Sequence, residues 1–192
     1  MSGTQRLVSF VLACASSIIV AGAQSQPTRG PEVEKLAVMV GRFTIEDEVK
    51  AGVMGPNSPA TKYTGTDDCR WTEGGFALIC EAVLYRPGTK YSEASFVYYD
   101  PTSKTYQYHA VDSSGGIENK TGTVNGDVWT WLGESLFAGK PYHTRYIMKF
   151  VSKDSFEYTD ESGESESSMK VFVSGKETRV APTEPPKPQS AQ

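Results

Sequence analysis

The feature that most constrains this chain is its rhythm of turns. Alternating apolar and polar stretches of eight to twelve residues are separated, again and again, by very short turn signals. Gly74-Gly75, Pro87-Gly88, Asp100-Pro101-Thr102-Ser103-Lys104, Ser113-Ser114-Gly115-Gly116 and Asn125-Gly126 all punctuate it in this way. Between them the sequence predicts strands at 42–50, 63–73, 76–86, 91–100, 105–112, 117–124, 128–136, 144–152, 155–162 and 169–173, with 176–180 as a last half-strand. No stretch is followed by the 10–15-residue helical pattern that a parallel sheet requires. Connections this short suit neighbouring antiparallel strands, and closing such a meander on itself removes the two unpaired edges. The expected fold is therefore all-β: an antiparallel up-and-down barrel of about ten strands.

One short helix precedes the strands. Pro31 stands at a first helical position, Glu32 and Glu34 lie in the first turn, and Gly41 ends the pattern. Val33, Leu36, Ala37 and Val40 form an apolar stripe, which suits an element closing one end of a barrel. The loop at 51–60 carries Val53 and Met54, readable either as a lid or as ordinary loop residues.

The hairpin from Cys69 to Cys80 fixes the register most tightly. With Gly74-Gly75 as a two-residue turn, Trp71 faces Leu78 and Cys69 faces Cys80, which predicts a disulfide between them. That turn would make Cys69 and Cys80 a hydrogen-bonded pair, an unusual place for a cross-strand bridge unless a bulge shifts it. The alternative is two buried free thiols.

The ends of the chain read differently. Arg6, the apolar run from Leu7 to Val20 and Ala21-Gly22-Ala23 have the form of a secretory signal peptide spanning 1–23. Val11-Leu12-Ala13-Cys14 has the outline of a lipoprotein box, but the apolar run continues past Cys14. Loss of 1–23 would leave one pair of cysteines, in keeping with a periplasmic or secreted protein. A linker at 24–30, a barrel domain at 31–180 and a disordered proline-rich tail at 181–192 complete the expected organisation. A net charge of −4 with no basic cluster gives no footprint for nucleic acid, and no run is long enough for a membrane span.

Chemistry-bearing motifs are sparse. The two histidines, His109 and His143, lack metal-ligand spacing, and no haem, nucleotide or nucleophile-elbow motif occurs, so no metal, cofactor or catalytic residue is assigned. The segment from Asp160 to Glu166 reads as a solvated hairpin end, and Asp112 as a cap for the turn after it. Asn119-Lys120-Thr121 matches a glycosylation triplet. What remains is aromatic. Tyr106 with Tyr108, and Tyr142 with Tyr146 and Met148, each share one face of a strand. With Trp71 at depth, these six would line a cavity for a small hydrophobic or amphipathic ligand. An isomerase or cyclase using Tyr108, His109 or Arg145, and a structural module with a filled core, are the alternatives. The oligomeric state is left open.

Leu36-Ala37-Val38-Met39-Val40-Gly41-Arg42-Phe43, the hairpin from Cys69 to Leu78, and Tyr99-Asp100-Pro101-Thr102-Ser103-Lys104-Thr105-Tyr106 together resemble a family of bacterial proteins of unknown function. The resemblance covers roughly Pro31 to Val180. It implies a lipocalin-like (calycin) barrel and an export signal, and it brings no catalytic residues and no agreed ligand. Phe43 stands where that family usually has tryptophan.

Overall fold

The computed structural model describes residues 28–181, so the predicted signal peptide, most of the linker and the proline-rich tail lie outside the described residues. Ten antiparallel strands close into a barrel: β1 (Gly41–Val49), β2 (Thr61–Trp71), β3 (Ala77–Arg86), β4 (Thr89–Asp100), β5 (Thr105–Asp112), β6 (Ile117–Asn125), β7 (Val128–Phe137), β8 (Lys140–Ser152), β9 (Ser155–Gly163) and β10 (Lys170–Arg179). Each strand pairs with its neighbours in sequence, and β1 pairs with β10 from Phe43–Arg179 to Val49–Val173, so no edge is left open. The last strand is continuous where the sequence suggested two pieces. A bulge between Val171 and Val173 absorbs the break in alternation.

The helix is shorter than its pattern suggested. Pro31–Lys35 (α1) is α-helical, and Leu36–Met39 tightens into a 3₁₀ turn. Gly30 offers no side-chain cap, and one α-helical turn has little stability of its own. Packing holds the element instead. Leu36 and Met39 are buried beneath the strands, and the Tyr106 hydroxyl donates to the Glu32 carbonyl at 3.1 Å and to Glu32 Oε2 at 2.7 Å. Arg179 stacks on Phe43 at 4.5 Å and donates to the carbonyls of Val38 and Val40. This end of the barrel is the closed floor. The opposite end is ringed by the 50–60, 87–88, 113–116, 138–139 and 164–169 connections and forms the mouth.

At the floor, the Cys69–Cys80 hairpin departs from the expected turn. The Thr72 amide donates to the Ala77 carbonyl at 2.8 Å and the Gly75 amide to Thr72 at 2.9 Å, so the loop is the four residues Glu73 to Phe76. Gly74 and Gly75 both take positive φ, 88° and 75°. The longer loop leaves the Cys69–Cys80 and Trp71–Leu78 partners as predicted but moves the narrow hydrogen-bonded pair to Thr72–Ala77. Cys69 and Cys80 are three steps away and therefore a non-hydrogen-bonded pair, with Cα atoms 4.0 Å apart and a disulfide between them.

Candidate functional site

Strand alternation divides the barrel interior into two layers. The floor layer is apolar and packed: Phe43, Leu78, Val97, Tyr106, Trp129, Trp131, Met148, Phe150 and Phe156 are all buried there. Trp129 and Trp131 stack at 5.9 Å, and Tyr106 meets Trp129 edge-on at 4.7 Å. Above it the same inward faces turn polar. Asp47 follows Ile45 on β1, Asp67 precedes Cys69 on β2, and Glu93 precedes Ser95 on β4. Glu118 and Lys120 come from β6, Tyr146 from β8, Asp160 from β9 and Glu177 from β10. Six carboxylates thus share one layer with a single lysine.

Lys120 organises one side of this layer. Its side chain is almost wholly buried, and its ammonium lies 2.6 Å from Glu118 and 3.5 Å from Asp160. The rings of Tyr108 and Tyr146 sit 5.6 and 5.4 Å from it. Burial alone would lower the lysine's pKa, but Asp160 and Glu118 outweigh it and hold the group above its ordinary value. Tyr108 donates a short hydrogen bond to Glu93, and Tyr91 donates to the same carboxylate at 3.2 Å.

The acids respond to burial and to one another. Burial pushes Asp47 up to about 6 against the opposing bond from Tyr158. Burial, with the Asp68 charge adding to it, pushes Asp67 up to about 6. Burial and then Glu118 push Glu93 up to about 7. Asp160 is raised to about 6 by burial, even with Lys120 opposing the shift. Glu177 stands well above its usual range through burial and the charges of Asp67, Asp47 and Glu93. Gly175 makes the crowding possible: a Cβ there would meet the Tyr158 hydroxyl oxygen at 2.6 Å and Asp47 Cβ at 2.7 Å.

Many side chains of this layer and of the mouth point inward yet remain partly exposed. Tyr63, Asp67, Tyr91, Glu93, Tyr108, Glu118, Tyr142, Tyr146, Tyr158 and Asp160 are all half-buried. Inward side chains that keep accessible surface leave the upper part of the interior incompletely filled, unlike the packed floor. By contrast, a groove of about 540 Å³ on the outer wall, between Glu46, Lys149, Glu157 and Lys176, holds none of the six aromatic and sulfur-bearing residues singled out in the sequence.

Those six all face inward but do not gather in one place. Tyr108 and Tyr146 belong to the polar layer. Tyr106 and Met148 are buried in the floor. Tyr142 stands at the mouth, where Lys140 approaches its ring at 5.5 Å. Trp71 is at the floor rim beneath Arg29, whose guanidinium lies 4.5 Å over the indole. The trio of the enzymatic alternative is split by the wall. Tyr108 points in, while Arg145 pairs with Glu161, and His109 stacks on Tyr98 at 6.0 Å and meets Asn119 at 2.7 Å. Arg70 likewise pairs outside with Glu81 at 2.7 Å.

One further expectation changes. The stretch from Asp160 is not all solvated hairpin: Asp160 lies within β9 and faces Lys120, because strand parity turns it inward while Glu161 turns out. The 51–60 loop folds on itself, Gly52 bonding Ser58 at 2.9 Å, with Met54 exposed. Asp112 caps its turn as expected, accepting from the Gly116 amide at 3.0 Å. Sequence reading missed the acidic layer. The signal for it was parity: Asp47, Asp67, Glu93 and Asp160 each stand two residues from an inward apolar, cysteine, serine or aromatic residue of the same strand.

Residues 28–179 match the model of a family described as a protein of unknown function (DUF1579). The chain belongs to that family. Among curated proteins none matches it. Of solved structures, Rv2717c from M. tuberculosis is similar over 80% of this chain and 100% of its own, with a TM-score of 0.58 at 13% identity. The S-type phycobiliprotein lyase CPES from Guillardia theta is similar over 81% of this chain and 96% of its own, with a TM-score of 0.53 at 10% identity. Both support the fold, a lipocalin-like closed barrel. Among the described residues no helix is long and apolar enough to cross a membrane.

Proposed function

We propose that this protein is a non-enzymatic binding barrel that holds a small amphipathic molecule in its lumen, entered from the mouth. The observation that carries this reading is the set of inward polar and aromatic side chains that solvent still reaches, standing above a floor already filled by packed aromatics. A barrel of this size has room for more than its own side chains. The apolar parts of the ligand would lie against Leu84, Tyr63, Tyr91 and Tyr142 near the mouth, and its polar group against the layer below. Of the six residues singled out in the sequence, Tyr108, Tyr142 and Tyr146 keep a direct part in this reading. Tyr106, Met148 and Trp71 support the floor. The phycobiliprotein lyase shares the architecture, and a barrel of that kind suits a ligand-holding role.

The same reading takes the chain as exported to the periplasm or beyond the cell. Leu7 to Val20 followed by Ala21-Gly22-Ala23 supports that, as does a disulfide, which persists in oxidising compartments.

The test is native mass spectrometry of protein purified mildly from its own host. A small-molecule adduct is expected that is lost on denaturation and absent from a folded Ala82→Phe variant, in which an added ring fills the lumen. An adduct unchanged in that variant, or none in repeated preparations, would overturn the reading.

A further inference from the structure

The two sides of the polar layer are not equivalent. On the Lys120 side, carboxylates of Glu118 and Asp160 and rings of Tyr108 and Tyr146 surround an ammonium that the chain itself supplies. On the other side, Glu177 on β10 lies opposite Ile45, two residues from Asp47 on β1, and feels the charges of both Asp47 and Asp67 on β2, with no ion pair to any of the three among the described residues. Glu177 is 6% exposed and Asp47 8%, and Glu177 Oε2, Asp47 Oδ1 and Asp67 Oδ1 find no hydrogen-bond partner among the described residues. Thr144 Oγ1, inward on β8 and also buried, is likewise unpartnered.

The nearby cations are engaged elsewhere. Arg179 is turned to the floor carbonyls and Lys120 is held by Glu118 and Asp160, while Arg86 lies over the Tyr63 ring at 5.6 Å near the mouth, its Nε buried without a partner and no ion pair joining it to the three acids among the described residues. Buried carboxylates are stabilised only when paired. The Tyr146 and Tyr158 rings, 5.5 Å apart, border this side as Tyr108 and Tyr146 border the other.

We propose that the Asp47–Asp67–Glu177 side of the lumen binds the positively charged head of an organic cation, a protonated amine or guanidinium, whose apolar part extends toward the mouth. This rests on the lumen-binding reading and names the ligand's class. A bare metal ion fits less well. Among the described residues the only acid or sulfur group whose ligand atoms gather within 4.8 Å of one another is Asp67 with Cys69 and Cys80, and those sulfurs are in the disulfide. The three carboxylates are thus spread wider than one ion's coordination shell. An organic cation need not meet all three at once: one charge-assisted N–H bond to Glu177, which already feels the charges of Asp47 and Asp67, holds it, and the other two act on it at longer range.

Isothermal titration of the mature chain with octylamine, octanol, octanoate and calcium chloride at pH 8 tests this. Octylamine is expected to bind at least about tenfold more tightly than octanol or octanoate, the scale of one charge-assisted hydrogen bond. Glu177→Gln, nearly isosteric, is expected to remove that preference while octanol binding stays unchanged, with circular dichroism confirming the fold. Asp47→Asn serves the same purpose should Glu177→Gln not fold. Equal binding of all three octyl compounds would overturn the cation assignment and leave the lumen reading standing. No binding of any octyl compound to a folded protein would overturn both. A calcium signal abolished by Glu177→Gln, with octylamine silent, would overturn it in favour of a metal.

Discussion

Lys120→Met should be the most costly single change to the lumen that removes no apolar volume. The methionine keeps most of the lysine stem's bulk and deletes the charge. At an effective dielectric of ~20, an ammonium 2.6 Å from Glu118 and 3.5 Å from Asp160 gains roughly 6 and 5 kcal/mol before the cost of leaving water is counted. Lys120 is only 3% exposed, so that cost is large, and removing one partner of such a buried pair typically costs about 3–5 kcal/mol. The penalty should depend on pH in one direction. Asp160 and Glu93 have pKa values pushed up to about 6 and about 7, so at pH 8 both are ionised and need the ammonium, whereas at pH 5 both are largely protonated. Without Lys120 the folded state holds those protons more tightly still, and its stability falls more steeply as pH rises. Urea unfolding of wild type and variant at pH 8 and pH 5 should give a loss of about 4 kcal/mol at the higher pH and about half that at the lower. A loss that is the same at both, or below about 1 kcal/mol at pH 8, would refute the view that Lys120 neutralises this layer.

Other groups of the barrel lead to further measurements. Asp47 has its pKa raised from 3.8 to about 6, so the stability its protonated form provides is complete below pH 4 and is lost as pH rises through 6. Asp47→Asn should therefore stabilise the fold at pH 8 by up to about 3 kcal/mol, less where lumen water screens the charge, and change little at pH 4; paired urea curves would show an equal effect at both if this is wrong. Thiol titration of the unfolded, unreduced barrel should find no free thiol at Cys69 or Cys80. Replacing both by serine should cost about 2–3 kcal/mol, because the loop closed is only 11 residues long in sequence separation and its ends are already paired. Tyr106→Phe should cost about 1 kcal/mol by thermal unfolding, through loss of the hydroxyl's bonds to Glu32 on the floor helix; no change would mean that the helix is held by Leu36 and Met39 alone.

How much of this was legible in the sequence depended on which forces act locally. Strand positions and the meander were readable because each turn carries its own glycine, proline or Asn-Gly and each strand its own alternation. The Cys69–Cys80 partnership was readable for the same reason, and the turn's length was not: Thr72 closes the loop one residue earlier than a two-residue turn would, a choice made by its contacts with Ala77. Face assignment in the tyrosine strands succeeded because Tyr106 and Tyr108, and Tyr142 and Tyr146, keep parity without a bulge. The acidic layer was hidden because a charge on a strand is usually outward, and only closure of β1 on β10 brings Glu177 within reach of the charges of Asp47 and Asp67.

The vertical order of the two layers argues for where function lies. Packing of Phe43, Trp129, Trp131 and Phe156 under the helix gives the barrel its stability without help from the layer above. That layer does the opposite: it holds carboxylates whose charged forms burial disfavours, several with oxygens that bond nothing in the described chain. An apolar set of equal volume on the same inward positions would make a more stable barrel. A structure that is consistent everywhere except in one layer, and that leaves that layer's side chains only partly buried, is arranged for something the chain itself does not supply. Whatever enters is favoured in proportion to the repulsion it relieves, so ligand affinity and apo instability should rise together with pH as Asp47, Asp67 and Glu93 lose their protons between about pH 5 and pH 8.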